Sequence, residues 1–217
     1  MCLCHFVSSF NTMIAIIDHK AGNLTSVKLA FEHLGIDAKI TNLTEEILNA
    51  DHVVFPGVGS AGAARENIYD LKLEQVIKKV VANGTPFMGI CLGTQIIFDS
   101  SEEDGGTTGL SLLSGKVKRF TPSNRTDKVP QIGWNTVAIR SPHPVIEGIE
   151  NDSEFYFVHS YYAEPENKNE IIGETGYAGV TFASIVGTNN LVATQFHPEK
   201  SGRIGLRLLQ NFAKWSC

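Results

Sequence analysis

Between residues 13 and 101 the chain alternates short apolar runs, rich in β-branched residues, with segments whose apolar positions recur at helical spacing. "MIAIID" (13–18) has the continuous apolar character of a buried strand. "NLTSVKLAFEHLG" carries Leu24, Val27, Phe31 and Leu34 on one side and stops at Gly35. "DAKIT" predicts a second strand, and "TEEILNA" a short helix with Thr44 as its expected cap. "HVVFPGVGS" predicts a third strand running into a glycine turn. "ENIYDLKLEQVIKKVVANG" predicts one helix, with Ile68, Leu71, Val76 and Val80 on a broad apolar side and Gly84 at its end. "TPFMGI" is the fourth strand, and "TQIIFDSSEE" the next helix. Alternation of this kind requires right-handed crossovers and a mainly parallel sheet, so the fold class is α/β.

After Gly109 the texture changes. "KVKRF", "NTVAIR", "EFYFVHSYYAE", "VTFASIV" and "LVATQFH" are strand-like runs separated by Pro, Gly and Asn turns. They predict an antiparallel or mixed extension of the same sheet. "SGRIGLRLLQNFAKW" closes the chain as an amphipathic helix, with Ser201 as N-cap and Ile204, Leu208, Phe212 and Trp215 inward. The segment 121–128 is a polar loop. A length of 217 residues suits one core. Residues 13–217 are expected to form a single domain. Residues 1–12, ahead of a second methionine at Met13, are expected to be a disordered extension or an upstream start.

Several function classes fall away on composition. The net charge is -5 with no basic block, which gives nucleic acid no surface. No apolar run is long enough to span a membrane. Of the four cysteines, Cys2, Cys4 and Cys217 lie near the chain ends, leaving Cys91 inside. That is no disulfide framework, and a reducing cytoplasm is the expected compartment. Cys2, Cys4 and His5 lack a fourth metal ligand, and His52, His143 and His159 are scattered, so no metal is expected. "GVGSAGAA" lacks the lysine and hydroxyl pair of a phosphate loop. No cofactor is expected.

The chemistry gathers at three places. "Gly89-Ile-Cys91-Leu-Gly93" has the form of a nucleophile elbow with cysteine in the place of serine. Such a turn presents the side chain at a helix N-terminus, where the dipole favours thiolate. The Leu92 amide is then aimed at an oxygen developing charge. A buried structural cysteine would satisfy the same stretch taken alone. In "QFHPEKSG", His197 and Glu199 lie two apart on an extended segment, hence on one face. A carboxylate there would fix the imidazole tautomer and stabilise the imidazolium, although a lone His-Pro-Glu is as readily a solvated turn. In "PGVG", Pro56 to Gly59, two glycines bring bare amides close to a ligand. All three sit where strands end, as sites in open α/β sheets do.

With these residues in view, the chain resembles the class I glutamine amidotransferases, from about Met13 to Trp215. Within that class it is most similar to the glutaminase subunits of imidazole glycerol phosphate synthase, in histidine biosynthesis. "GICLG" and "HPE" carry the class. "GNLTSV", "PGVG", "CLGTQIIFDSSEE", "GWN" at 133–135, "YFVHSYY" and "FHPEKSG" carry the finer likeness. The resemblance implies a flavodoxin-like doubly wound sheet. It implies Cys91 as nucleophile, His197 as general base and acid, and Glu199 as the residue orienting His197. Gly57, Val58 and Gly59 would form the oxyanion strand, with Leu92 as the other donor. Gln95 would contact the glutamine substrate, and the backbone of His159, Ser160 and Tyr161 would hold its amino-acid head group. Ammonia would pass to a (β/α)8-barrel cyclase subunit in a heterodimer. That subunit converts PRFAR, a phosphoribosyl-formimino intermediate, to imidazole glycerol phosphate and AICAR. Asn23, Trp134 and Lys200 match positions at the partner interface.

Two alternatives stay open at this level. The chain could feed ammonia to a different acceptor enzyme or act as a catalytically silent interaction subunit, whereas a thiol peptidase or glyoxalase-like relative shares the elbow but not this His-Pro-Glu placement with Gln95. The sequence also departs from the family. After the first strand the family usually has Asp-Tyr-Gly-x-Gly-Asn, where this chain has Asp18-His19-Lys20-Ala21-Gly22-Asn23. Two bulky residues are therefore expected near the partner surface. Ile132 stands where the family often has Met.

Overall fold

The apolar runs become strands buried on both faces. In Met13–Ile17, Ile14 and Ile16 join the core on one side of the sheet, and Ala15 and Ile17 the core on the other. Period-two alternation with both sets buried is why this run shows no polar residue. A computed structural model describes residues 12–122, 124 and 126–217. Nearly all of the expected N-terminal extension, with Cys2, Cys4 and His5, lies outside the described residues.

In chain order the described elements are β1 (Met13–Ile17), α1 (Leu24–His33), β2 (Asp37–Thr41), α2 (Thr44–Leu48), β3 (His52–Gly57), α3 (Ala61–Asp70), α4 (Leu73–Ala82), β4 (Phe87–Cys91) and α5 (Leu92–Ile96). Then come β5 (Ser100–Ser101), β6 (Thr107–Thr108), β7 (Gly115–Arg119), β8 (Gln131–Ile139), β9 (Ser153–His159), β10 (Tyr161–Pro165), β11 (Ile171–Tyr177), β12 (Val180–Thr188), β13 (Leu191–Thr194) and α6 (Gly202–Lys214). The main path through the sheet runs β2-β1-β3-β4-β13-β12-β10-β7-β5-β6. From β2 to β13 the pairings are all parallel. From β13 to β7 they are antiparallel. β11 pairs with β12 and with β8, which carries the ribbon β8–β9. The order reverses between β1 and β3, and a crevice opens outside the strand ends at such a point.

Helices α1 and α6 cover one face through Val27, Phe31, Leu208 and Phe212. Ile68, Val76, Ile77 and Val80 from α3 and α4 cover the other. Here the structure corrects the sequence-based expectation of one helix over 66–84. The chain forms two helices, the first beginning earlier at Ala61, and Lys72 breaks them apart with φ 55°. The reason is phase. Ala61, Ala64 and Ile68 form one buried stripe, and Leu73, Val76, Ile77 and Val80 another. Five residues separate Ile68 from Leu73, so one continuous helix could not bury both.

Other boundaries shift for equally local reasons. The helix expected over "TQIIFDSSEE" is α5, which starts at Leu92 and ends at Ile96. Ile96, Ile97 and Phe98 are all buried, more than one helix face can carry, and Ser100–Ser101 instead pairs with β7. Thr44 is the first helical residue and not the cap, while Thr41 Oγ1 accepts from Leu43 N. Ser201 precedes α6 but makes no cap bond; its hydroxyl accepts from Tyr156 N and donates to the His197 carbonyl. The run 154–164 is two strands, broken at Ser160. β11, "IIGETGY", escaped notice because its glycines and glutamate hide the alternation. A Cβ on Gly173 would meet Val137 Cγ1 at 2.8 Å, which explains the glycine.

Candidate active site

Cys91 is the last residue of β4 and directly precedes α5, at φ 54° and ψ -104°. An L-residue holds such a conformation only where its surroundings enforce it. Two glycines make room for the turn. A Cβ on Gly93 would stand 1.9 Å from the Phe55 carbonyl oxygen, and one on Gly89 would stand 2.9 Å from the Gly93 oxygen. Thr94 donates its hydroxyl to the Thr194 carbonyl at 2.6 Å, tying α5 to β13. Cys91 is buried, with its sulfur 3.9 Å from the Val158 carbonyl and 3.8 Å from Gln195 Nε2.

His197 follows β13, which runs parallel beside β4. Its amide donates to the Tyr156 carbonyl at 3.0 Å, and its carbonyl accepts from Ser201 Oγ and Lys200 N. The imidazole Nδ1 lies 2.8 Å from Glu199 Oε1, with both side chains almost wholly buried. Nε2 is buried with no oxygen or nitrogen partner. Burial alone would lower the basicity of this imidazole. The Cys91 sulfur and the Glu199 carboxylate beside the ring outweigh burial, and His197 is pushed up to about 10. The arrangement therefore favours an imidazolium at His197, oriented from behind by the Glu199 carboxylate.

A cleft of about 320 Å³ opens over the sulfur, lined by Val58, Gly59, Cys91, Leu92, Gln95, Glu103, Pro130, Val158, His159, Ser160, Tyr161 and His197. Gln95 is buried and donates to the Tyr161 carbonyl at 2.9 Å and to Gln195 Oε1 at 3.1 Å. His159 Nδ1 is 2.7 Å from the same carbonyl, and its Nε2 is 3.1 Å from the Gln131 side-chain amide. Burial, with the nearby His197 adding to it and the Tyr161 bond opposing, pushes His159 down to about 4. The atom facing Nε2 is Gln131 Oε1, so a neutral ring that donates from Nδ1 to Tyr161 pairs with Gln131 only with that amide turned to present its NH2.

Every residue expected at the triad, the substrate wall and the Leu92 amide thus meets in or behind one cleft. Gly57 ends β3 opposite Cys91, and Val58 and Gly59 lead from it into the cleft. The interface positions lie outside. Lys200 and Asn23 are exposed, and Asn23 caps α1 through Ser26 N. Trp134 is 55% exposed and pairs across the ladder with Tyr156, whose carbonyl holds the His197 amide. The two bulky residues after β1 part company. Lys20 is exposed at φ 62°, a glycine-like conformation supported by its amide bonding Asp18, whereas His19 is fully buried.

Two polar residues at the site, Gln195 against the sulfur and Glu103 in the cleft lining, lie outside the sequence-based expectations. Gln195 stands two residues before His197, on the same face of an extended segment, so its spacing was a readable signal. Glu103 had none, because a chain reversal brings it in. Its carboxylate accepts from the Ala61 amide at 2.8 Å. Burial raises its pKa, with Asp104 adding to that and the Ala61 bond opposing. No group of three or more metal-binding side chains occurs among the described residues.

The family model for glutamine amidotransferase class-I matches residues 15–215. The imidazole glycerol phosphate synthase subunit HisH of Methanocaldococcus jannaschii is 48% identical over 202 residues, covering 93% of this chain and 99% of that one. The subunit of the same name from Chlorobaculum tepidum is 42% identical, covering 94% and 100%. Among solved structures, PurLQS from Thermotoga maritima shares the fold with a TM-score of 0.74 at 17% identity, covering 94% and 98%. A family match across nearly the whole chain, with this identity to full-length relatives, means that the chain belongs to the class-I glutamine amidotransferases, on their HisH branch.

Proposed function

We propose that this chain is the glutaminase subunit of an imidazole glycerol phosphate synthase, releasing ammonia from glutamine through a cysteinyl thioester. The observation that carries the reading is the buried His197–Glu199 pair, 2.8 Å apart, set against a cysteine held at φ 54°. Relatives 48% and 47% identical to this chain bear the name of a synthase subunit, which supports work within a complex.

The Cys91 thiolate attacks the side-chain amide carbon of glutamine, and the carbonyl oxygen takes the negative charge. The amides of Leu92 and of the Gly57–Gly59 strand receive that oxygen. The C–N bond breaks as His197 gives its Nε2 proton to the leaving nitrogen, which departs as ammonia. A γ-glutamyl thioester remains. His197, now neutral, takes a proton from water, whose oxygen attacks the thioester. Glutamate leaves and the thiolate and imidazolium are restored. Glu199 holds the imidazole tautomer throughout. Gln95 and the backbone of His159, Ser160 and Tyr161 position the substrate. Glu103 supplies a carboxylate for its ammonium, and that ammonium favours the ionised form of a group that burial pushes toward neutrality.

Ammonia is delivered to a cyclase subunit with a (β/α)8 barrel, docked in a heterodimer near Asn23, Trp134 and Lys200. Trp134 lies two steps from the nucleophile's acid, through Tyr156 to the His197 amide, which gives the partner a route to the triad. Cys91 acts only when reduced, in keeping with a reducing cytoplasm. The test is glutamate release by the chain alone, with the cyclase subunit of the same source, and with PRFAR added. Strong stimulation in the last condition supports both parts of the reading. Hydrolysis indifferent to the cyclase would keep the chemistry and overturn the partner.

A further inference from the structure

The turn after β1 meets the end of β3 at the reversal of strand order, directly beside the cleft. His19 is 0% exposed there, its Nε2 2.9 Å from the Pro56 carbonyl oxygen and its ring tilted against Phe55 at 4.8 Å between centroids. Its Nδ1 is buried without a partner. Burial lowers its pKa, with Pro56 and Asp18 opposing. A neutral imidazole facing a carbonyl carries its proton on Nε2, so His19 donates to Pro56 and leaves Nδ1 bare.

The fit around this bond is close. A Cβ on Gly57 would stand 3.2 Å from His19 Nε2 and 3.0 Å from Leu92 Cβ. A Cβ on Gly22, in the same turn as His19, would stand 3.5 Å from the Gly57 Cα and from Val58 N. Gly57 is therefore hemmed in by the His19 turn and the first residue of α5. Peptide planarity carries the constraint onward: fixing the Pro56 oxygen fixes the plane that contains the Gly57 N–H. Rotation remains available downstream, at Gly57 φ and ψ, Val58 and Gly59, the last at φ 104°.

We propose that His19 is a positioning residue for glutamine hydrolysis, anchoring the Pro56–Gly57 peptide so that the amides beyond it meet the developing oxyanion. This rests on the reading above, in which residues 57–59 receive that oxygen. His19 touches neither substrate nor nucleophile and acts through the strand alone. An anchor of this kind sets kcat and leaves glutamine binding unchanged, because the binding contacts assigned above, at Gln95, Glu103 and 159–161, lie outside residues 56–59.

The experiment measures kcat and KM for glutamine in the complex with the cyclase subunit, for wild type, His19→Phe, His19→Gln, His19→Asn and Cys91→Ser. Phe keeps ring volume and removes the donor. Gln carries an N–H at nearly the reach of Nε2, whereas the amide of Asn falls short. His19→Phe and His19→Asn are expected to lose at least about tenfold in kcat, with KM within about twofold. His19→Gln is expected to stay within about threefold of wild type. A merely structural role would lower thermal stability and leave the kcat of folded enzyme alone. His19→Phe with wild-type kcat, or His19→Gln as impaired as His19→Phe, would overturn the proposal. If His19→Phe does not fold, the Gln and Asn pair decides by the same criterion. Hydrolysis surviving in Cys91→Ser would instead bring down the site reading beneath it.

Discussion

At the scale of single residues, the account turns on one proton. His197 titrates at its ordinary 6.5 in the unfolded chain and at about 10 in the fold. Its contribution to stability is therefore complete below pH 6.5 and is lost as pH rises toward about 10. In the proposed mechanism the same proton goes to the leaving nitrogen, so hydrolysis should decline on its alkaline side as His197 loses it. Glu199→Gln removes one of the groups that hold this proton. It should lower kcat by about 10³–10⁴-fold and move the alkaline limb of the pH–rate profile to lower pH. Measuring kcat against pH for both proteins checks the direction. Glu103→Gln should act differently, raising KM for glutamine with little change in kcat, since its carboxylate offers uniform binding to the ammonium. Steady-state kinetics at saturating partner separates the two effects. The elbow around Cys91 and the His197–Glu199 pair were legible because each motif is local in sequence. Glu103 was not, because its place in the cleft depends on the reversal that sends its carboxylate to the Ala61 amide.

At the scale of elements, the elbow shows how packing dictates sequence. Gly93 is required by the Phe55 carbonyl, 1.9 Å from where its Cβ would lie, and not by its own backbone angles. Gly93→Ala must push β3 and α5 apart. It should cost at least about 1–3 kcal/mol and lower the melting temperature by several degrees, as a thermal scan would show. Activity should fall as well, because the displaced strand is the one that carries Gly57. The parallel strands were legible because both faces are buried and their residues are continuously apolar. The helix pair α3 and α4 was not, because two stripes of different phase merge into one broad apolar face when read as a single helix. α5 was obscured likewise: Ile96, Ile97 and Phe98 suit a helix by propensity, but Asp99 bonds the Gly115 amide and draws the chain into β5. Ser201 matched the pattern of a helix cap, and tertiary structure used its hydroxyl to join Tyr156 to His197 instead.

At the scale of the whole molecule, four histidines are pushed below their ordinary value: His19, His52, His143 and, furthest, His159 at about 4. Burial is the largest cause in each. The unfolded chain binds these protons near pH 6.5 while the fold refuses them, so stability should fall as pH drops from 6.5 toward about 4. Urea midpoints across that window should fall more steeply for wild type than for His159→Gln, which removes the most displaced of the four. The exposed face bearing Trp134 ties to His197 through Tyr156, and under the proposed function this joins a partner's arrival to the acid that releases ammonia. No helix among the described residues is long and apolar enough to cross a membrane. The central claim is the covalent one, that glutamine is opened on Cys91. The most direct measurement is mass spectrometry of the complex, acid-quenched during steady-state turnover of glutamine, on the peptide that contains Cys91. The account predicts a γ-glutamyl adduct on that cysteine, absent without glutamine and absent in Cys91→Ser. Glutamate formed by the wild type at full rate with no adduct, or formed equally by Cys91→Ser, would contradict it.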